Sequence, residues 1–360
     1  MTRDTWYVER VNKLNVLSLF DGMSCARIAL DKLGIPCNYY ASEIDKYAIK
    51  VAKANYPQTI HLGSVTDLSW NDKGLHQHLQ PKIDLLVGGS PCQGFSFAGK
   101  QLNFDDPRSK LFWEYVRILK ETKPKYFLLE NVRMKQESQD VITEALGVEP
   151  IAINSNVVSA QNRYRLYWTN IPFDIPEDKG IVLQDILEDG VTDRDKAHCI
   201  DANYFKGGNL KSYFEKNRRQ LVFSKDGLCH VGDADVSGFE SGKRVYHPKG
   251  KSPTLSTCQG GWRTPKVLIV QRPRGANSGG LRALDGKTPS LSISSWQYNN
   301  FVVHADDLKW RKLTPIECER LQTVPDNYTN HVSNTQRYKM LGNGFTVDVI
   351  KHILKGMEGA

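Results

Sequence analysis

Short apolar runs alternate with amphipathic segments along the first 170 residues, and this alternation constrains the fold more than any other feature. The apolar runs "NVLSLF", "NYYASE", "TIHLG", "KIDLLVGG" and "KYFLLEN" predict buried strands. The segments "CARIALDKLG", "AIKVAKANY" and "SKLFWEYVRILKET" predict helices between them, the first of which ends at Gly34. This order predicts right-handed crossovers and a doubly wound, mostly parallel α/β sheet. The segments "EPIAINSNVVSA" and "NRYRLYWTN" predict an antiparallel pair that closes it.

The periodicity fades between residues 172 and 307, where Gly, Ser, Asn and Pro are frequent and only short β-like pieces remain. This stretch contains two similar units, "GKSPTLST" and "GKTPSLSI", which predict a small β-rich module. Helical patterns return after residue 307: "KLTPIECERLQ" has Thr314 as N-cap, Pro315 in the first turn and Glu317 three residues after the cap. In the last helix Val347, Ile350, Leu354 and Met357 share one face. We therefore expect a large domain built from residues 1–171 and 308–360, and a smaller domain over 172–307.

Positive charge is concentrated in the β-rich stretch. The chain has a formal net charge of +8, and residues 201–300 hold 16 Lys and Arg against 7 Asp and Glu, together with ten aromatic residues. A basic stretch interleaved with aromatics favours a polyanion such as nucleic acid, although charge alone also fits a solvated basic face. The absence of a long apolar run and of a signal-peptide pattern predicts an intracellular protein with no membrane partner. The seven scattered cysteines are typical of reduced thiols.

The first strand and helix predict a nucleoside site. Gly22 lies where strand meets helix, and Glu43 closes the second strand about twenty residues further on. In a doubly wound sheet such a carboxylate accepts hydrogen bonds from a ribose diol. The pattern "GxGxxG" is absent, which argues against a pyrophosphate-bearing dinucleotide. A tight turn beside a surface glutamate is the structural alternative.

A second group of chemically active residues is predicted at the same edge of the sheet. In "LLVGGSPCQGFSFAGK" an apolar strand ends just before Cys92, so this thiol is a candidate nucleophile. The next strand ends in "LLENVR", which brings Glu130 to that edge. Arg163 and Arg165 in "QNRYR" are two residues apart and point to one face of a strand.

These residues carry a resemblance to the DNA (cytosine-5)-methyltransferase family. The chain resembles that family in the order of "DGMSCARIAL", "GGSPCQGFS", "GKQLNFDDPRSKLF", "LLENVR", "QNRYRLYW", "RKLTPIECERLQTVPDNY" and "QRYKMLGNGFTV". The resemblance implies a Rossmann-like catalytic domain with the fold of S-adenosylmethionine-dependent methyltransferases, and a target-recognition domain over 172–307. It implies transfer of a methyl group from S-adenosylmethionine to C5 of cytosine in a specific double-stranded DNA sequence, with the base flipped out.

The resemblance also implies catalytic roles. Cys92 would attack C6 of cytosine, and Glu130 would bind or protonate N3 and the exocyclic amine. Arg165, and with it Arg163, would hold the target nucleotide. The segment "GFSFAGKQLN" that follows Cys92 would be a loop that closes over the base.

Cofactor roles follow in the same way. Phe20 would stack on the adenine, the backbone of residues 21–23 would line the methionine moiety, and Glu43 would bind the ribose. The implied cofactor-binding residues are Phe20, Asp21, Gly22, Met23, Glu43, Ile44, Ser64, Val65, Gly89, Asn343 and Gly344. Two positions depart from the family pattern. Ser24 stands where a second glycine is frequent, and Ser64 stands where an aspartate usually accepts from the adenine amino group. We therefore expect weaker adenine recognition, or a substitute such as Asp67.

The recognition region of the family is marked by a Thr-Leu pair, which Thr254 and Leu255 match, whereas the second unit has Ser290 and Leu291. Lysines and arginines there would contact phosphates, and a few would contact base edges. The implied DNA-binding residues are Ser96, Lys100, Arg108, Arg244, Thr254, Leu255, Arg263, Arg272 and Arg274.

Several alternatives stay open at this point. The same chemistry on transfer RNA, a catalytically silent DNA-binding relative, and transfer of a group other than methyl would each use related sequences. The pairs His198-Cys199 and Cys229-His230 match no standard zinc spacing, so no metal is expected. Cys25, Cys37, Cys258 and Cys318 are expected to be packing residues. We expect a cytoplasmic monomer in a bacterial or phage-infected cell, with double-stranded DNA as partner and a separately encoded restriction endonuclease as an optional one.

Overall fold

The structure is a computed structural model that describes residues 13–70, 81–91, 110–209, 218–223 and 310–357, together with Tyr213, Lys216 and the backbone of short strands between residues 230 and 281. Contacts divide the chain into two compact units. Unit 1 comprises Met1–Val182, Ile200–Phe205 and Pro315–Ala360, and unit 2 comprises Leu183–Cys199 and Lys206–Thr314. The domain boundaries expected from the sequence, at 171/172 and 307/308, stay predictions.

Unit 1 is built on a seven-stranded sheet. Its strands are β1 (Leu14–Leu19), β2 (Cys37–Ser42), β3 (Ile60–Gly63), β4 (Leu85–Gly88), β5 (Tyr126–Val132), β6 (Ile151–Asn154) and β7 (Tyr164–Thr169). Their order is β3-β2-β1-β4-β5-β7-β6, and β1 to β5 are parallel. The strand β7 is antiparallel to both β5 and β6, as the sequence predicted for the closing pair. The strand order reverses between β1 and β4, and ligands bind at such switch points in doubly wound sheets. The predicted α/β fold is confirmed.

The described helices of eight or more residues all belong to unit 1. Two shorter helices are also described, Leu183–Ile186 in unit 2 and Pro315–Leu321 in unit 1. In chain order the described helices are α1 (Cys25–Lys32), α2 (Lys46–Asn55), α3 (Lys110–Thr122), α4 (Gln136–Leu146), α5 (Leu183–Ile186), α6 (Pro315–Leu321), α7 (Asn334–Asn343) and α8 (Val347–Leu354). Helix α2 begins at the N-cap Asp45, whose carboxylate accepts from the backbone N–H groups of Tyr47 and Ala48. The backbone leaves α1 through Gly34, which has φ +71°. Helix α4 was not predicted from the sequence.

The core lies between the sheet and the helices on its faces. The central strands β1 and β4 bury every apolar side chain from Val16 to Leu19 and from Leu85 to Val87. Helix α8 packs against α1 and buries Val347, Ile350 and Leu354, the face that the sequence pattern predicted. Each such side chain contributes roughly 1.5–3 kcal/mol when it is fully buried. The C-terminal segment therefore belongs to the same core as the N-terminal strands.

The described strands of unit 2 are short. Strand β8 (Leu221–Phe223) pairs with β14 (Trp310–Lys312), and the others form two small sheets. Those others are β9 (His230–Asp233), β10 (Arg244–Tyr246), β11 (Lys266–Val267), β12 (Val270–Gln271) and β13 (Gly280–Leu281). The similar segments "GKSPTLST" and "GKTPSLSI" lie outside the described residues. No helix in the described part of the chain is both long enough and apolar enough to cross a membrane.

Candidate active site

Four parallel strands of unit 1 each end directly before a residue that the sequence predicted for the site. Phe20 follows β1, Glu43 follows β2, Ser64 follows β3 and Gly89 follows β4. All four line one cavity of about 410 Å³ at the carboxyl edge of the sheet. The predicted residues that line it are Phe20, Asp21, Gly22, Glu43, Ile44, Ser64, Val65, Gly89, Glu130, Arg163, Arg165, Asn343 and Gly344. The structure thus brings the residues predicted to bind the cofactor, and Glu130, Arg163 and Arg165, which were predicted to be catalytic, around one space.

The loop after β1 has an unusual backbone. Phe20, Gly22 and Ser24 have φ values of +56°, +59° and +65°. Every second residue of this loop therefore has a left-handed backbone conformation. Only glycine adopts this region without cost, and a phenylalanine there is an outlier that the surroundings must hold in place. The Gly22 N–H donates to Oε2 of Glu43 at 2.7 Å, which ties the loop to the end of β2. Ser24, the first departure from the family pattern, therefore occupies a conformation in which a glycine would be unstrained.

The Glu43 carboxylate is fixed by the backbone. Its Oε1 accepts from the N–H groups of Ile44 and Asp45, both at 2.8 Å, while Oε2 accepts from Gly22. Ile44 beside it is 75% exposed and lines the cavity. A carboxylate oriented in this way presents its remaining lone pairs to a ligand with paired hydroxyl groups.

The loop after β1 contains a buried carboxyl group, that of Asp21. Asp21 accepts from the Ser24 hydroxyl at 2.5 Å and from the Tyr39 hydroxyl at 2.7 Å. Its burial raises the pKa to about 6, against an ordinary value near 3.8. Cys25 also lines the cavity, but burial raises the pKa of its thiol to about 12, so it stays a thiol. Cys25, Cys37 and Cys318 are buried, as expected of packing residues, and Cys258 lies outside the described residues.

The Asp21 pKa predicts a pH effect on stability. The unfolded chain releases this proton near pH 4, whereas the folded chain holds it until about pH 6. The folded state therefore binds more protons in that window, and the stability from Asp21 falls as pH rises from about 4 to about 6. We expect the unfolding free energy of wild type, relative to Asp21→Asn, to drop by about 1–3 kcal/mol between pH 4.5 and 7.5. Urea unfolding at both pH values measures it, and a difference that does not change with pH contradicts the assignment.

Ser64 occupies the position of the second departure from the family pattern. Its hydroxyl oxygen lies 2.7 Å from the Thr66 hydroxyl oxygen and accepts from the Thr66 N–H at 3.3 Å. The Thr66 hydroxyl donates to the Asp67 carboxylate at 3.1 Å. Ser64 and Val65 line the cavity, and Asp67 is joined to Ser64 through Thr66.

Glu130 and Arg165 form an ion pair at the cavity. The Arg165 Nε lies 2.9 Å from the Glu130 Oε1, and Glu130 is 8% exposed. The two residues come from the antiparallel strands β5 and β7, where Val132 lies opposite Arg165 and Glu130 lies opposite Tyr167. Glu130 and Arg165 therefore project from the same face of the sheet.

Gly89 leaves room beside this pair. A Cβ atom at Gly89 would lie 2.7 Å from the Phe345 ring and 3.4 Å from the Glu130 Oε2. Any side chain there would displace the ring that lines the cavity. Phe345, Asn131 and Ser90 also line it, and Asn131 Nδ2 donates to the Ser90 hydroxyl at 3.2 Å. These three were not singled out from the sequence, although each lies inside a quoted family motif.

Arg163 differs from Arg165 in its partners. It is 2% exposed, and its guanidinium donates to the backbone carbonyl groups of Ile200, Gly342 and Gly344. Gly344 is also tightly packed, because a Cβ there would lie 3.1 Å from Met23 Cε and 3.2 Å from Cys25 Sγ. Met23 itself is buried and lies against Gly344 rather than among the residues that line the cavity.

The remaining predicted residues fall outside what the structure describes. Pro91, the residue directly before Cys92, lines the cavity. Arg244 begins β10, of which only the backbone is described. Cys92, Ser96, Lys100, Arg108, Thr254, Leu255, Arg263, Arg272 and Arg274 lie outside the described residues.

Unit 1 has a Rossmann-like α/β fold with a cavity at the carboxyl edge of its sheet. Solved structures show the same fold: Entamoeba histolytica methyltransferase EhMeth has a TM-score of 0.60 at 14% identity, covering 96% of this chain and 98% of that chain. Spodoptera frugiperda DNMT2, as a triple mutant, has a TM-score of 0.56 at 19% identity, covering 96% and 99%.

The family follows from the sequence match. The model of the C-5 cytosine-specific DNA methylase family matches residues 14–359, and the chain belongs to this family. It is 29% identical to the orphan methyltransferase M.SPRI of Bacillus phage SPR, with 96% of this chain and 97% of that protein covered. It is 28% identical to the type II methyltransferase M.HhaI of Haemophilus parahaemolyticus, with 96% and 94% covered. The predicted family, fold and enzyme class, a methyltransferase acting on cytosine in DNA, are confirmed.

Proposed function

We propose that the chain transfers a methyl group from S-adenosylmethionine to C5 of cytosine in a specific double-stranded DNA sequence, through a covalent bond between Cys92 and C6 of a flipped base. The observation that carries this proposal is the Glu130–Arg165 ion pair, which lines the same cavity as Pro91, the residue before Cys92. A nucleophile, a carboxyl group and a cation at one edge are what attack on a pyrimidine ring requires.

The residues of the cavity fit S-adenosylmethionine. A volume of about 410 Å³ is in the range of small-molecule sites. Phe20 supplies an aromatic ring for the adenine, Glu43 supplies a fixed carboxylate for the ribose diol, and Asn343 and Gly344 line the same cavity. When bound, the cofactor supplies an electrophilic methyl group on a sulfonium sulfur.

The side chains of the chain itself prepare the base. The Cys92 thiolate would add to C6, and the electron pair of the C5–C6 bond would then make C5 nucleophilic. Glu130 would donate a proton to N3 and accept a hydrogen bond from the exocyclic amine, which draws charge from the ring during the addition. Arg165 would hold the nucleotide beside Glu130. After C5 has gained the methyl group, the C5 proton would pass to solvent, the C6–S bond would break to release the Cys92 thiolate, and N3 would return its proton to Glu130, which restores the neutral aromatic ring.

DNA recognition completes the proposal. The reacting base must leave the duplex, which costs a few kcal/mol. Positive charge in residues 201–300 supports phosphate contacts by that stretch. Relatives named as orphan phage methyltransferases and as type II methyltransferases match nearly the whole chain, so a bacterial or phage setting with or without a separate endonuclease is supported. We propose that the chain acts as a monomer.

A methyl-transfer assay tests the proposed function. Purified protein is incubated with labelled S-adenosylmethionine and, in parallel, plasmid DNA of mixed sequence and total transfer RNA. We expect label in the DNA, recovered as 5-methylcytosine at one sequence by bisulfite mapping. Label in the RNA alone, or in no nucleic acid, contradicts the proposal.

Ser64→Asp tests the adenine end of the cavity. An aspartate at the end of β3 can accept from the adenine amino group with a charged acceptor, which is stronger than the Ser64 hydroxyl. We expect about a tenfold lower Kd for S-adenosylmethionine by titration calorimetry. Asp67→Asn in the wild-type background is the companion variant. A higher Kd for S-adenosylmethionine in this variant would identify Asp67 as the substitute acceptor. Unchanged affinity in Ser64→Asp contradicts the expectation of weakened adenine recognition.

A further inference from the structure

Arg163 is held in place by its own backbone. It directly precedes β7, its N–H donates to the Asn154 side chain at 2.9 Å, and its carbonyl accepts from the Ser155 N–H at 2.9 Å. Its side chain enters the interior of unit 1. These bonds fix the backbone of Arg163 relative to the sheet. The side chain therefore holds the groups that it binds in a defined position relative to the sheet.

The guanidinium joins two distant segments. Its Nη1 donates to the Ile200 carbonyl at 3.2 Å, and its Nη2 donates to the carbonyls of Gly342 and Gly344 at 3.2 and 2.8 Å. Gly342 lies in the last turn of α7, where the free carbonyls carry partial negative charge, so a buried cation is favourable there. The guanidinium reaches the two segments through two separate nitrogen atoms held in one plane, whereas a lysine has a single ammonium nitrogen.

Residues 200–205 form an insertion of unit 1 between two stretches of unit 2. A Cβ atom at Gly342 would lie 2.2 Å from the Asp201 carbonyl carbon, so the two backbones touch. The rings of Tyr204 and Tyr338 meet edge to face at 5.7 Å. Residues 200–205 therefore pack against α7, and Arg163 binds Ile200 beside the contact between Asp201 and Gly342.

The turn at residues 342–344 forms part of the cavity wall. Within the described part of the chain, residues 200–205 are not among those that line the cavity. Arg163 therefore binds both the cavity wall and the segment 200–205.

We propose that Arg163 is a positioning residue, which holds the turn at 342–344 against residues 200–205 in the conformation that binds S-adenosylmethionine. It acts through backbone carbonyls, whereas Arg165 acts at the base. This inference rests on the proposed function, since it takes S-adenosylmethionine as the ligand of the cavity.

Arg163→Lys and Arg165→Lys are a matched pair that separates the two roles. We expect Arg163→Lys to raise the Kd and KM for S-adenosylmethionine by about tenfold or more, with kcat at saturating cofactor within about threefold of wild type. We expect Arg165→Lys to show the reverse, with a reduced kcat and an unchanged cofactor Kd. A reduced kcat with unchanged cofactor Kd in Arg163→Lys overturns the proposal and places Arg163 at the base.

Hydrogen exchange on the wild-type protein gives a second readout that needs no variant. S-adenosylhomocysteine is added, and exchange is followed at Asn203 and Tyr204, whose N–H groups both bond to Asp201. We expect slower exchange at these two amides as well as at the cavity wall. Protection confined to cavity residues overturns the proposal. Failure of the wild type to bind either cofactor form would instead contradict the proposed function.

Discussion

Glu130→Gln should reduce kcat for cytosine methylation by about 100- to 10,000-fold, with much smaller changes in the KM values for DNA and cofactor. Glutamine keeps an acceptor oxygen and adds a donor nitrogen where the carboxyl group lies, so it can still bind N3 and the exocyclic amine. It cannot transfer a proton to N3. The substitution also removes the charge that faces Arg165 at 2.9 Å. Steady-state methyl transfer at saturating substrates measures the effect.

Glu114→Gln is the matched control for this variant. Glu114 forms a comparable ion pair with Arg117 on helix α3, at 2.6 Å, and it is not among the residues that line the cavity. Its kcat should stay within about twofold of wild type. A Glu130→Gln protein that folds normally and keeps a wild-type kcat would remove Glu130 from the proposed chemistry.

Glu319→Ala should lower the free energy of unfolding by about 3–5 kcal/mol. Glu319 is fully buried in α6, and its carboxylate accepts from the backbone N–H groups of Asn327 and Thr329 at 2.6 and 2.8 Å. It also pairs with Arg337 of α7 at 3.0 Å, and the Arg337 side chain is only 7% exposed. Removing Glu319 leaves the buried Arg337 cation and the buried Thr329 N–H without their acceptor, and such groups are costly in a low dielectric.

Asp326→Ala is the control for Glu319→Ala. Asp326 pairs with Arg320 of helix α6 at 2.6 Å, but the two side chains are 43% and 34% exposed. Exposed pairs of this kind contribute less than about 1 kcal/mol. Urea unfolding at pH 7.5 gives the loss of unfolding free energy in each variant. Equal losses would show that the buried network around Glu319 contributes no more stability than an exposed ion pair.

Much of the fold could be predicted because local patterns decide it. The strand predicted to end at Phe20 ends at Leu19, since Phe20 turns into the left-handed region. The closing antiparallel pair and the buried face of α8 are as expected. Helix α4 was missed, and it buries only Ile142, so its apolar periodicity is weak. The segment 200–205 could not be assigned to the large unit, because that depends on its contact with Gly342 rather than on its own pattern.

The candidate site was predictable to the extent that strand ends determine it. Phe20, Glu43, Ser64 and Gly89 each follow a parallel strand, and parallel strands bring their carboxyl ends together. The different partners of Arg163 and Arg165 could not be predicted, since the two arginines are equivalent in the local pattern "QNRYR". What separates them are carbonyl groups 37 to 181 residues away in the chain.

The most direct test of the proposed chemistry traps the bond between sulfur and pyrimidine. A long duplex with 5-fluorocytosine in place of cytosine is incubated with the protein and S-adenosylmethionine, then digested, and the peptides are analysed by mass spectrometry. Fluorine at C5 blocks the elimination that would release the sulfur, so we expect a stable adduct that maps to Cys92, requires the cofactor and is absent in Cys92→Ser. An adduct at another residue, or a Cys92→Ala protein that methylates ordinary DNA at the wild-type rate, would contradict it.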